Sequence, residues 1–148
     1  MPFSTGFHPY LPVPLTPGGV RNDCRLRIPG CRRYTALPQA SAFTSSPLPA
    51  GHLPLTLDYS EAWFLGDFET PQVALQDPGS GVEVVVDFSA SPFYRYMALW
   101  SRGGDCPFFC VEPWTALPNA LGRKDGERIE LQPGETFHAT IWMDVQRL

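Results

Sequence analysis

The stretch FFCVEPWT, residues 108–115, leads three apolar residues and a cysteine into a single carboxylate, Glu112, with a proline next in line. A carboxylate at the end of an apolar strand is stripped of water, which disfavours its charged form and raises its pKa. A carboxyl group tuned in that way is a good proton acceptor at neutral pH. A second stretch, TGFHPYL at residues 5–11, sets His8 between a glycine-aromatic pair and a proline-tyrosine pair. Proline confines the residue before it to extended geometry, so His8 stands on a stiff backbone. Imidazole is the side chain whose ordinary titration falls near neutrality, and it is suited to giving a proton. Glu112 and His8 are therefore candidates for the base and the acid of general acid-base catalysis. The competing readings are a histidine packed in a turn and a strand-end carboxylate capped by backbone amides or an arginine.

Cys24, Cys31, Cys106 and Cys110 are spaced like neither a zinc ribbon nor a CxxC redox pair. They read as buried free thiols, since a Cys106–Cys110 metal pair has no histidine near it in sequence. Reduced cysteines and a first segment, MPFSTGFHPYL, without the basic start and apolar run of a secretory signal point to the cytoplasm. No window is apolar and long enough to span a bilayer as a helix. With 15 acidic against 11 basic residues, a net charge of -4 gives no electrostatic reason to bind nucleic acid or an anionic membrane. A neutral small molecule suits this surface better.

The elements that must position these groups are strands. The chain of 148 residues fits one domain, residues 1–148, and 17 prolines with 13 glycines leave long helices almost nowhere to form. GVEVVVDF, residues 81–88, alternates Val82, Val84, Val86 and Phe88 with Glu83, Val85 and Asp87. With PQVALQ before it, the sequence predicts a hairpin over 71–88 that turns at Asp77, Pro78 and Gly79. FYRYMALW, residues 93–100, is another strand, and TFHATIWMDV, residues 136–145, alternates most cleanly of all. RIELQPGET offers a short strand and a turn at Pro133 and Gly134, and CRLRIP a further strand. The span from Tyr34 to Pro54, heavy in Pro, Ser and Ala, reads as an ordered loop.

GFHPYL, LPxG-type turns, TLDYSEAW, FFCVEPWTALPNAL and LQPGE, in this order, resemble the aldose 1-epimerase family, the galactose mutarotase-like proteins. The resemblance runs from Pro2 to about Val145. CVEPWT followed by PNA is fairly specific, whereas HPY or PGE alone is weak.

The resemblance implies an all-β fold, an antiparallel β-sandwich of the galactose mutarotase-like type, whose concave face binds a hexose and interconverts its α and β anomers without a cofactor. It makes Glu112 the base that takes the anomeric proton and His8 the acid that protonates the ring oxygen. The two would face each other across a gap the width of a pyranose ring. Asp58 matches an aspartate that hydrogen-bonds sugar hydroxyls, with a turn cap as its competing reading and Glu61 as a neighbouring alternative. Trp100 and Trp114 are the candidate stacking surfaces, the indole N–H being free to meet a hydroxyl. Trp63 and Trp142 read equally as core, and His52 and His138 match no motif. A hexose-6-phosphate 1-epimerase would need arginines converging on phosphate, for which Arg32 and Arg33 are available. A non-catalytic carbohydrate-binding module is the third reading. Family members carry a long amino-terminal half before the HPY motif, bringing a second histidine and an arginine to the sugar. This chain starts almost on the motif, so the sandwich is expected to lack that half, to have open sheet edges, and to self-associate through them.

Overall fold

The computed structural model describes residues 1–124 and 126–148. The turn-rich sequence resolves into short strands: β1 (Pro2–Phe3), β2 (Tyr10–Pro12), β3 (Arg25–Ile28), β4 (Cys31–Ala36), β5 (Phe43–Leu48), β6 (Gly51–Pro54) and β7 (Trp63–Gly66). They continue with β8 (Gln72–Asp77), β9 (Val82–Asp87), β10 (Tyr96–Trp100), β11 (Phe108–Trp114), β12 (Ile129–Glu130) and β13 (Trp142–Arg147). The helical segments among the described residues are single 3-10 turns at Arg21–Asp23, Pro38–Ala40 and Ala120–Gly122. Every strand pair is antiparallel.

A six-stranded sheet runs in the order β2-β11-β10-β7-β4-β5, a five-stranded sheet in the order β13-β9-β8-β3-β6, and β1 pairs with β12 in a separate ribbon. One apolar core lies between the two sheets. From the six-stranded sheet it takes Leu65, Met97, Leu99, Phe109 and Val111, and from the five-stranded sheet Leu26, Val73, Leu75 and Val86, all at 0% exposure. Because side chains alternate across a strand, each inward residue fixes its neighbours outward. On β11 the inward pair Phe109 and Val111 leaves Phe108, Cys110, Glu112 and Trp114 on the face turned away from the core.

The predicted hairpin forms as β8 and β9, with Ser80 N–H donating to the Asp77 carbonyl at 3.2 Å in the turn. CRLRIP contains β3, and the turn at Pro133 and Gly134 closes with Glu135 N–H on the Gln132 carbonyl at 3.1 Å.

Four expectations need correction. The span from Tyr34 to Pro54 is not loop: it completes β4 and supplies β5 and β6. Its prolines are tolerated because β5 and β6 are the outer strands of their sheets, where a missing N–H breaks no ladder on the open side. The alternating 136–145 segment becomes a strand only from Trp142, since its partner β9 ends at Asp87, opposite Trp142. Ala139 and Ile141 pack on the core without ladder pairing, while Phe137 meets Phe3 and Phe93 edge to face. The strand over 93–100 starts at Tyr96, because Phe93 lies in a turn. β11, finally, does not stop at Glu112 but runs through Pro113 to Trp114. The Pro113 carbonyl accepts from Phe7 N–H at 3.0 Å, so the proline nitrogen also faces residue 7 and the β10 ladder loses no donor.

Candidate active site

Two pairings bring His8 and Glu112 together. β2 lies along β11 with Tyr10 opposite Cys110, and an isolated bridge sets Gly6 opposite Trp114. Both belong to one antiparallel register, and that register puts His8 directly opposite Glu112 on the outward face. Pro9 has no N–H to give, which interrupts the ladder without shifting it. Below this point Thr115 N–H donates to the Thr5 carbonyl at 2.9 Å, and Thr5 N–H donates to the Thr115 hydroxyl at 2.9 Å, pinning the segment at its other end. Gly6 allows the close approach: a Cβ there would lie 2.6 Å from Cδ1 of Trp114.

His8 Nε2 stands 3.3 Å from Glu112 Oε1, with the imidazole side chain 47% exposed and the carboxylate side chain 3% exposed. The second carboxylate oxygen accepts the Trp114 indole N–H at 3.1 Å. Burial raises the Glu112 pKa above its ordinary value of 4.5, and the His8 charge and the indole hydrogen bond only partly oppose this. The Trp114 ring leans on Phe64 at 5.6 Å between centroids, and the residue opposite Glu112 on β10 is the small Ala98. The imidazole stacks on Tyr10 at 4.8 Å and meets the edge of Trp100 at 6.2 Å. The outcome is a carboxylate with a raised pKa, held on two sides, beside a half-exposed imidazole.

The acid and base candidates are in direct contact, not a pyranose width apart. The cross-strand register enforces this. Both candidate stacking tryptophans are on the outward face, but neither indole N–H is free: Trp114 donates to Glu112 and Trp100 donates to the Ser60 carbonyl at 3.1 Å. Asp58 is fully exposed and caps its own turn, its Oδ1 accepting Ser60 N–H at 2.8 Å and the Ser60 hydroxyl at 2.6 Å. Those two hydrogen bonds hold its pKa below the ordinary carboxylate value. It opens on a cavity of about 510 Å³ walled by Arg33, Ser60, Glu61, Trp63 and Phe64, and neither His8 nor Glu112 lines it. The link between cavity and pair is Trp100, which is bonded to the Asp58 loop and touches His8.

Arg32 and Arg33 diverge, as adjacent residues of a strand must. Arg32 is outward, bonded to Ser45, with Asp67 at 3.9 Å. Arg33 lies over the Trp63 ring at 3.5 Å. Sequence reasoning did not reach Tyr10, which carries the imidazole, or the position of Cys110 beside the pair. Both were legible in principle from the spacing of HPY and CVE once the two stretches are laid antiparallel. All four cysteines are free and buried, and burial together with the Glu112 charge pushes the Cys110 thiol up to about 12.

No family model matches the chain. The chromosomal LacX protein of Lactococcus lactis subsp. lactis is 29% identical over 146 residues, covering 92% of this chain and 47% of its own. Among solved structures, a galactose mutarotase-like protein from Clostridium acetobutylicum superposes with a TM-score of 0.77 at 18% identity, over 100% of this chain and 48% of its own. A candidate aldose 1-epimerase from Escherichia coli K12 does so with a TM-score of 0.69 at 21% identity, over 100% of this chain and 52% of its own. The fold is thus galactose mutarotase-like, and the chain spans about half the length of the proteins it matches.

Proposed function

We propose that this chain, a portion of a galactose mutarotase-like sandwich, carries the acid-base pair of an aldose 1-epimerase. The observation that supports this most is the His8–Glu112 contact of 3.3 Å, made by a buried carboxylate with a raised pKa on the outward face of the six-stranded sheet. In the proposed reaction Glu112 takes the proton of the anomeric hydroxyl while imidazolium His8 protonates the ring oxygen. The C1–O5 bond breaks to give the open aldehyde, rotation about C1–C2 presents its other face, and the reverse transfers close the ring as the other anomer. The two sugar oxygens are bonded to the same carbon, so both reach a site whose acid and base are neighbours. In the sugar-free protein the imidazole and carboxylate satisfy each other, and the sugar replaces that contact with one to each.

Asp58 is proposed to take a sugar hydroxyl from the rim of its cavity, and Trp100 and Trp114 to offer ring faces, not N–H groups. A hexose phosphate as substrate has little support, because Arg32 and Arg33 point to opposite faces of β4. A non-catalytic sugar-binding module draws some support from the direct acid-base contact, which leaves no open gap between the two groups.

Anomer exchange decides between them. NMR of freshly dissolved α-glucose and α-galactose is expected to show accelerated equilibration with the wild type. Glu112→Gln and His8→Asn are each expected to slow it by about 10²–10⁴-fold, with sugar binding retained. Binding without acceleration by the wild type would assign the module instead.

A further inference from the structure

Beside the proposed acid and base stands a third donor that the sugar chemistry does not use. Cys110 is two residues before Glu112 on β11, so strand alternation puts its thiol on the same outward face. Its cross-strand partner is Tyr10, so it is diagonal to His8. A ring nitrogen of His8, the sulfur of Cys110 and a carboxylate oxygen of Glu112 all lie within 4.8 Å of one another.

We propose that His8, Cys110 and Glu112 form an inhibitory site for a borderline-soft divalent cation, zinc fitting it best with a fourth position open to water, so that, on the reading of His8 and Glu112 as acid and base, cation and sugar chemistry compete for the same two side chains. The donor set is the first reason. One nitrogen, one sulfur and one oxygen suit zinc or cobalt, while magnesium and calcium take oxygen ligands. Geometry is the second. Tetrahedral zinc with bonds of about 2.1 Å to nitrogen and oxygen separates those two atoms by about 3.4 Å. His8 and Glu112 already stand 3.3 Å apart. A sulfur bonded at about 2.3 Å belongs about 3.6 Å from the nitrogen, so side-chain rotation of about 1 Å completes the set. Framework is the third: two donors at alternate positions of a central strand and one across from them sit on backbone that the sheet already fixes. The half-exposed imidazole gives the cation its way in.

Binding forms a bond from the metal to the Cys110 sulfur and sends the thiol proton to solvent. The cation also takes the lone pairs of His8 and Glu112, so it excludes their use in proton transfer. Its occupancy is read by spectroscopy and does not depend on any sugar activity.

The test uses chain stripped with EDTA, reduced with a phosphine, and titrated with cobalt(II) and then zinc. One equivalent of cobalt is expected to produce a near-ultraviolet thiolate-to-metal band and tetrahedral visible bands, all bleached by zinc. Loss of a partner one shell out already weakens a metal site about 10–100-fold, so Cys110→Ser should lose the near-ultraviolet band and bind zinc at least about 100-fold more weakly. His8→Asn, at a half-exposed position, should weaken zinc similarly and serves if Cys110→Ser does not fold. Cys106→Ser should leave band and affinity unchanged. No thiolate band in the wild type, or a band that survives both Cys110→Ser and His8→Asn, would overturn the site.

Discussion

Glu112 is the residue with the most at stake in the fold, because it keeps a carboxylate at 3% side-chain exposure. Its folded pKa is raised above 4.5, so the folded chain holds this proton at pH values where the unfolded chain has released it. Between those values the native state binds more protons, and stability therefore falls as pH rises. Glu112→Gln keeps an acceptor for Trp114 and a donor toward His8 while removing the charge. It is expected to raise stability at pH 7–8 by on the order of 1 kcal/mol, with the difference vanishing near pH 4, in urea melts taken at both pH values. The same residue sets the acid limb of the rate. Activity should rise as Glu112 ionises, at a pH above the ordinary carboxylate range. Trp114→Phe keeps a ring beside Phe64 but deletes the N–H that stabilises the carboxylate. The limb should then move up by about 0.5–1 pH unit, a shift that simple loosening of the site would not produce.

At the scale of elements, the site is a consequence of register. Residues 5–12 run the length of β11, and the bridges at Gly6 and Tyr10 leave His8 no choice of partner. Gly6→Ala would force a Cβ to 2.6 Å from Trp114 and 3.0 Å from the Pro113 carbonyl, so the segment must lift. A loss of about 1–3 kcal/mol in denaturant melts and a fall in anomer exchange greater than the fall in sugar affinity are expected. The motifs HPY and CVEPW identified both residues of the pair, because local chemistry is written in short runs. Their direct contact was not legible, since pairing between distant strands depends on the whole sheet. The same limit explains the 34–54 region, whose Pro and Ser content masked outer strands that tolerate both. It also explains the late start of β13, since the alternation persists where no partner strand does. Asp58 shows the converse: the sequence left a turn cap and a sugar ligand equally open, and its hydrogen bonds to Ser60 show the cap in place.

In the molecule as a whole, the five-stranded sheet ends at β13 on one side. β13 is an outer strand, and the apolar rows that begin in the core run onto it: Val73 and Val86 are at 0% exposure, but Met143, next in that row, is at 54%. Val145, beside Val84, is at 69%, and Trp142 on the other face is at 62%. Unpaired backbone donors and acceptors next to exposed apolar side chains invite a further strand. We propose that a second copy supplies it, β13 against β13 about a twofold axis at Val145, in the register that opposes Val145 to its own copy, Asp144 of each chain to Gln146 of the other and Met143 of each chain to Arg147 of the other. The Asp144 carboxylate of each chain then accepts from the Gln146 amide of the other, and the two valines meet on the axis, which favours this arrangement over a slipped one. Light scattering coupled to size exclusion at micromolar concentration should give the mass of a dimer. Val145→Lys, which charges the shared apolar row, should return a monomer with an unchanged far-ultraviolet spectrum. Met143→Lys, which sets a like charge opposite Arg147 of the other chain, should weaken the dimer, and Met143→Glu, which sets an opposite charge there, should strengthen it. A monomeric wild type, or a dimer indifferent to Val145→Lys and to both Met143 changes, would remove β13 as the contact. The His8–Glu112 pair belongs to the other sheet, so anomer exchange measured per chain should be the same in the dimer and in the Val145→Lys monomer.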